Sequence, residues 1–158
     1  MVGPIVIAEI FYRPPDGPGG QDNSDDEYVE LRSIVGTNVP LSSAAIPTNR
    51  WRLHGGIDFD FPSDAVLNAN SSLLLVNFNP TNAPKTAAFR ARFNVPAGVA
   101  LFGPYEGKLD NSGESVRLSR PDNPEPGGDV PYILVDEVEY RDATPWPVGA
   151  DGTGASIQ

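Results

Sequence analysis

The sequence contains no cysteine and only one histidine among its 158 residues. The lack of cysteine excludes disulfides, thiolate zinc sites and cysteine nucleophiles. No apolar run approaches the roughly 18 residues of a membrane-spanning helix, so we expect no membrane insertion. Basic residues are also scarce, because 11 Lys and Arg stand against 21 Asp and Glu and leave a net charge of −10. That charge repels phosphate backbones, so nucleic acid is a poor partner.

Sequence signatures of catalysis are missing as well. The only histidine, His54, follows Trp51 and Leu53 on a predicted strand, and no Gly-x-Ser-x-Gly motif is present. The glycine-containing segment 103–109 is one residue short of a phosphate-binding loop. Composition gives no way to choose two of the many acids as a glycosidase pair. We therefore expect a protein that is not an enzyme and needs no cofactor.

Proline and glycine are abundant, with 17 and 16 residues. An interior proline costs a helix about 3 kcal/mol, so this composition favours short strands joined by turns. Alternating apolar residues predict strands at 5–12, 27–32, 50–54, 57–61, 72–76, 99–102, 114–118 and 132–140. Pro84, with Phe89 and Phe93 four residues apart, predicts one short helix over 86–93. We expect a single all-β domain over residues 1–158, folded as an antiparallel β-sandwich.

Several apolar residues lie on the same side of each alternation and should face the core. They are Ile7, Val29, Leu31, Trp51, Leu53, Phe59, Phe61, Leu74, Val116, Leu118 and Val138.

An acidic segment, 16–30, contains no Lys or Arg. Its Asp16, Asp22, Asp25 and Asp26 would favour a hard divalent cation, and calcium is the natural candidate. Their spacing is not that of an EF-hand loop, so the indication is compositional. The alternative interpretation is an acidic loop that is simply solvated.

Several short motifs follow one another in a characteristic order. One is the turn at 109–114, where Asp and Asn side chains can bond to nearby amides and Gly113 accepts a positive φ. The motif residues are Glu9, Glu30, Leu31, Trp51, Leu53, Leu109, Asn111, Gly113, Glu114, Asp136, Tyr140, Trp146, Pro147, Asp151, Gly152, Gly154 and Ser156. Together they resemble the lamin tail domain (intermediate filament tail domain) family, in its bacterial form. The resemblance implies an immunoglobulin-like sandwich, although insertions before Glu27 and at 121–131 depart from the family pattern.

Two functions are compatible with these observations. By resemblance to bacterial family members, the chain would be a non-catalytic binding or positioning module of a larger exported or surface protein, attaching to a protein or a surface polysaccharide outside the cell. Alternatively, it would be a calcium-dependent carbohydrate-binding sandwich accessory to a hydrolase, with Tyr12, Tyr105 or Trp146 stacking on sugar rings. The candidate ligand-binding residues are Glu9, Glu30, Asp110, Asn111, Glu114, Trp146 and Asp151.

The C-terminal residues predict a last strand that begins near Ala155 and stops at Gln158. A strand this short leaves backbone N–H and C=O groups unpaired along a sheet edge. Such an edge favours pairing with a second chain, so we expect the isolated protein to form a homodimer by strand addition.

Overall fold

The strands lie mainly in the parts of the chain that contain few proline and glycine residues. The computed structural model of the protein describes residues 3–158, which contain one α-helix, α1 (Ala83–Phe93), two short 3-10 helices (Ser24–Asp26 and Val148–Ala150) and eleven strands. The strands are β1 (Ile5–Phe11), β2 (Tyr28–Ser33), β3 (Val39–Pro40), β4 (Arg52–Gly55), β5 (Ile57–Asp60), β6 (Val66–Leu67), β7 (Ser72–Val76), β8 (Ala100–Phe102), β9 (Glu106–Gly107), β10 (Gly113–Pro121) and β11 (Tyr132–Arg141).

The strands form two sheets that enclose the main core between them. One sheet has the order β1-β2-β7-β8 and the other β11-β10-β4-β5-β9, while β3 pairs with β6 beside them. All eight predicted strands are present, and 72–76 has the predicted bounds. The additional strands β3, β6 and β9 have two residues each, which is too short for an alternation to be recognised. The predicted all-β sandwich with one short helix is confirmed.

The pairing is antiparallel except between β7 and β8, which run parallel. Parallel neighbours require a crossover connection, and here α1 supplies it. The helix therefore lies on the outer face of the four-stranded sheet.

Most of the predicted core residues face the space between the sheets. Val29, Leu31, Leu53, Val116 and Leu118 are completely buried there. The prediction was less accurate for three others. Phe59 and Val138 are only partly buried at the margin of the core, and Leu74 is buried on the opposite face of its strand. Because α1 covers that face, β7 is apolar on both sides and its sequence does not show which side is inner.

Helix α1 begins three residues before the predicted start, because Asn82 caps it. The Asn82 side chain accepts a hydrogen bond from the Lys85 amide at 3.2 Å. Pro84 occupies the first turn, where its missing N–H costs nothing. Within residues 3–158 no helix has both the length and the apolar character that crossing a membrane requires.

Aromatic rings fix α1 to the sheet. Phe89 and Phe93 contact Tyr28, with ring centroids 5.8 and 5.3 Å away. Phe93 also contacts Phe11 at 5.5 Å, and Phe78 contacts Phe89 at 5.5 Å. These rings form a second apolar cluster that is separate from the main core.

The C-terminal residues extend the four-stranded sheet beyond β1. Ile157 and Ile10 exchange two backbone hydrogen bonds of 2.9 Å. Farther along the same edge, the Ile7 amide donates to the Asp136 carboxylate at 2.7 Å. The expected last strand is thus a single bridge with a buried Ile157 side chain. The homodimer by strand addition stays a prediction.

Phe89→Ala tests the second cluster. Phe89 is 3% exposed and contacts three other rings, so its truncation should lower the free energy of unfolding by about 3–5 kcal/mol. Urea denaturation measures the change. Ala91→Ser, at an exposed site of the same helix, should change stability by less than about 0.5 kcal/mol. A loss below about 1 kcal/mol for Phe89→Ala would show that the helix is not anchored by this ring.

Candidate functional site

Two glutamates face each other on the outer side of the four-stranded sheet. Glu9 in β1 and Glu30 in β2 are directly opposed in the strand register. A β-bulge between Ile7 and Glu9 leaves Ala8 without a partner in β2. Before the bulge Ile7 faces the core, whereas after it Ile10 does. The extra residue therefore moves Glu9 from the inner to the outer face.

Hydroxyl groups hold both carboxylates in place. Tyr28 donates to Glu9 Oε1 at 2.6 Å, and Ser156 donates to the same oxygen. Ser72 donates to Glu30 Oε1 at 2.7 Å. Burial, and then the hydrogen bond to Glu9, raise the pKa of Tyr28, so its phenol remains a proton donor. Within residues 3–158 neither carboxylate has a Lys or Arg nitrogen within 4.0 Å.

The two glutamates lie in a groove, which we call the acidic groove. It consists of two adjoining cavities of about 350 and 310 Å³ that share Glu9, Tyr28 and Phe93. The first extends to the C-terminal residues 154–158, and the second to the segment that follows α1. Glu30, Arg32 and Ser72 line the second cavity. Both glutamates are half-buried, so their charges are less screened than those of fully exposed acids.

The turn at 109–114 is closed by its own side chains. The Tyr140 hydroxyl donates to Glu114 Oε1 at 3.0 Å and lies 2.9 Å from the Asp110 carbonyl oxygen. The Asp110 amide donates to the same glutamate oxygen at 3.1 Å. Gly113 has the positive φ that the sequence predicted, 119°, and a Cβ there would lie 2.4 Å from the Tyr140 carbonyl oxygen. Asp110 and Glu114 thus hold a turn together and are placed away from the acidic groove.

Glu27, which sequence reasoning did not single out, fastens this turn to β2. Its carboxylate is fully buried and accepts hydrogen bonds from the Leu109 amide at 3.0 Å and from Tyr105 at 3.1 Å. Its other oxygen has no hydrogen-bond partner among residues 3–158. Burial raises the pKa of Glu27 to about 7. In the sequence it looked like one more acid of a solvated loop, because its partners lie about eighty residues away.

The remaining candidate ligand-binding residues lie elsewhere. Asp151 forms an ion pair with Arg13. Asn111 donates to Asp22 at 3.5 Å. Trp146 is half-buried and packs against the main core. Of the seven candidates, Glu9 and Glu30 therefore share one open groove, and Trp146 lines a smaller cavity together with Glu9.

The predicted convergence of four aspartates on calcium is wrong. Asp22, Asp25 and Asp26 form separate ion pairs with Lys108, Lys85 and Arg92, while Asp16 is exposed. In the part of the chain that the structure describes, no three acidic or histidine side chains are arranged to hold one metal ion. The basic partners lie far from the acidic segment in the sequence. The composition of the segment alone therefore overestimated its net negative charge in the folded protein.

The expected sugar-stacking rings are also largely inaccessible. Tyr12 is 1% and Tyr105 3% exposed, so neither ring can lie against a ligand. The expectation that these two tyrosines stack on sugars is wrong, because both fill the main core. Trp146 is partly accessible and lines a small apolar cavity of about 110 Å³ next to Ile157.

One pair of side chains has the form of a catalytic dyad. His54 Nε2 and Ser119 Oγ are 2.9 Å apart, on the neighbouring strands β4 and β10. Ser119 is only 3% exposed, so its hydroxyl cannot reach a substrate carbonyl. Burial and the nearby Arg52 and Arg117 lower the pKa of His54, and no carboxylate among residues 3–158 accepts a hydrogen bond from its ring. The pair behaves as a buried polar contact.

No protein-family model matches the sequence, and no curated protein matches it significantly. The resemblance to lamin tail domains therefore stays a prediction.

Glu27→Gln tests the buried carboxylate through its pH dependence. The pKa of Glu27 is raised from 4.5 to about 7 in the folded protein, so its contribution to stability is fully present below about pH 4.5 and is lost as the pH rises through 7. Relative to the Gln variant, the wild type should lose about 3 kcal/mol of unfolding free energy across this window. Urea denaturation at several pH values measures the difference.

Glu125→Gln is the matched control, because Glu125 is exposed in the loop between β10 and β11. Its stability should follow that of the wild type at every pH. If the unfolding free energies of the wild type and of Glu27→Gln changed in parallel with pH, the raised pKa of Glu27 would be contradicted.

Proposed function

We propose that this chain is a non-catalytic binding domain whose acidic groove holds a basic segment of a partner protein. The observation that carries the proposal is the opposition of Glu9 and Glu30, with no basic side chain of residues 3–158 within ion-pair distance. A lysine or arginine of the partner would supply the missing positive charge.

Electrostatics favour a cationic ligand. Like charges directly opposite each other on neighbouring strands destabilise a sheet. The hydroxyl donors of Tyr28, Ser156 and Ser72 all bind Oε1 atoms, so the Oε2 atom of each glutamate is free to accept from a ligand. The net charge of −10 also increases the rate at which basic partners are encountered.

The shape of the groove suits an extended segment. It runs between the residues that follow α1 and the C-terminal residues, and is open to solvent on the side away from the sheet. Phe93, Val95 and Val99 provide an apolar wall beside the carboxylates. Such a wall can pack against the methylene stem of a lysine or arginine while its charged end reaches the glutamates.

A partner protein is favoured over a polysaccharide at this site. Neutral sugars are usually bound by the open face of an aromatic ring. Here Tyr28 is 8% exposed, and its ring meets that of Phe93 edge to face at a centroid distance of 5.3 Å. The resemblance to bacterial lamin tail domains supports the same proposal, in which the domain positions a larger exported or surface protein.

Selection from a random peptide display library tests the proposed ligand. Peptides enriched on the wild-type protein should be rich in Lys and Arg, and their affinity should fall with rising salt. Glu9→Gln combined with Glu30→Gln should weaken these peptides by about tenfold or more, since two charge-assisted hydrogen bonds are lost. Glu125→Gln should bind them as the wild type does. Enrichment of peptides without basic residues, or unchanged affinity of the double variant, would contradict the proposal.

Repulsion between Glu9 and Glu30 should also lower the free energy of unfolding of the protein. Glu30→Gln removes one charge but keeps an acceptor for Ser72, so it should raise the free energy of unfolding by about 0.2–1 kcal/mol at low salt. The gain should shrink in high salt, where the repulsion is screened. Thermal denaturation at two salt concentrations measures it. A lower melting temperature for Glu30→Gln would show that the two carboxylates do not repel each other.

A further inference from the structure

A further cavity lies on the other side of the sandwich, on the outer face of the five-stranded sheet. Its volume is about 470 Å³. The charged residues of its lining are Arg52, Asp58, Asp60 and Glu106, and the neutral ones are Leu53, His54, Phe59 and Pro104. Leu53 in β4 and Phe59 in β5 face the core, so their neighbours in the two strands point outward. These neighbours are Arg52, His54, Asp58 and Asp60.

Arg52 forms the positive end of this cavity. Its guanidinium carbon lies 3.6 Å from the centroid of the Tyr132 ring, and this stacking fixes the plane of the group. No carboxylate of residues 3–158 lies within ion-pair distance of it, and its Nε has no hydrogen-bond partner. The cation is therefore positioned but not neutralised.

Asp58 and Glu106 form the negative end. They are directly opposed on β5 and β9, and neither has a basic partner within ion-pair distance in the described part of the chain. Asp60 differs, because Arg50 lies 3.5 Å from it. The lining thus has one uncompensated cation at one end and two uncompensated carboxylates at the other.

The strand register sets a minimum separation of the two ends. Arg52 is paired with Asp60, so Asp58 is its diagonal neighbour, and the Cα atoms of such neighbours are about 7–8 Å apart. The guanidinium lies over Tyr132 in β11, on the side of β4 away from β5 and β9, so the charged groups themselves are farther apart than these Cα atoms. This separation exceeds the distance between the ammonium and carboxylate groups on one Cα atom. It suits two charges that are joined by a stem such as the four-carbon side chain of lysine. Pro104 provides apolar surface for the stem.

We propose that this cavity binds a ligand with an ammonium group and a carboxylate at the two ends of an aliphatic stem. The carboxylate would bind Arg52, and the ammonium would lie between Asp58 and Glu106. Free lysine and the C-terminal lysine of a peptide both carry these groups. Asp58 and Glu106 are exposed, so solvent screens the attraction and the dissociation constant should be on the order of 1 mM.

Nuclear magnetic resonance titration of the ¹⁵N-labelled protein tests the proposal with three ligands that each contain six carbon atoms. 6-Aminohexanoate should shift amides of β4, β5 and β9 in a saturable way. Hexylamine and hexanoate each lack one charge and should bind about tenfold more weakly, which corresponds to about 1.4 kcal/mol. The proposal would be overturned if hexylamine bound as well as 6-aminohexanoate, or if none of the three gave saturable shifts at millimolar concentration.

Substitutions at the two ends of the cavity test which residue binds which charged group of the ligand. Asp58→Asn should reduce the affinity for 6-aminohexanoate toward that for hexanoate, and Arg52→Gln should reduce it toward that for hexylamine. Asp129→Asn, at an exposed site in the loop between β10 and β11, is the matched control and should bind as the wild type does. The comparison of the three ligands on the wild type remains decisive even if Arg52→Gln does not fold. Equal loss of affinity in Asp129→Asn would also overturn the proposal.

Two further ligands distinguish a free amino acid from the C-terminus of a peptide as the ligand of this cavity. Tighter binding of L-lysine than of the peptide Gly-Gly-Lys supports a free amino acid, and the reverse order supports a peptide C-terminus. Blocking the carboxylate of Gly-Gly-Lys as an amide should weaken its binding, and no effect of the amide would contradict a role for Arg52. Glu9→Gln with Glu30→Gln should leave all these affinities unchanged, so this result is independent of the acidic groove.

Discussion

A single extra residue in β1 determines what the four-stranded sheet buries and what it presents to solvent. With strict alternation Glu9 would follow Ile5 and Ile7 into the core, where an unpaired carboxylate is very costly. The bulge at Ala8 shifts the alternation by one residue. Ile10 and Tyr12 then enter the core, while Glu9 and Phe11 turn outward. Attachment of the helix and formation of the acidic groove both depend on this shift.

The two outer faces of the sandwich share a pattern. Each has a pair of acids directly opposed across neighbouring strands, Glu9 with Glu30 and Asp58 with Glu106. Asp22, Asp25 and Asp26 behave differently, because lysine and arginine residues from α1 and from the segment before β10 neutralise them. The excess negative charge of the protein is therefore uneven. Among residues 3–158, neither pair of opposed acids has a basic partner within ion-pair distance.

The sequence predicted the fold better than the site. Alternation is a local property, so the strands and most inner residues could be recognised, as Leu53 and Val116 illustrate. The role of Glu27 could not, because its two hydrogen-bond donors lie about eighty residues away. The same holds for the aspartates predicted to bind calcium, whose basic partners Lys85, Arg92 and Lys108 are distant in sequence. Glu9 and Glu30 were correctly placed on strands, but the pairing of these strands and the bulge that opposes the two acids are not revealed by alternation alone.

The bridge between Ile10 and Ile157 joins residues that are almost the whole chain apart. Bringing such distant segments together costs loop-closure entropy, and only the completed pairing offsets that cost. The bond from the Ile7 amide to Asp136 adds a second link of this kind, across a separation of 129 residues. A high proportion of long-range contacts is associated with slow folding. The outer edge of the first strand is therefore completed by contacts that close loops spanning most of the chain.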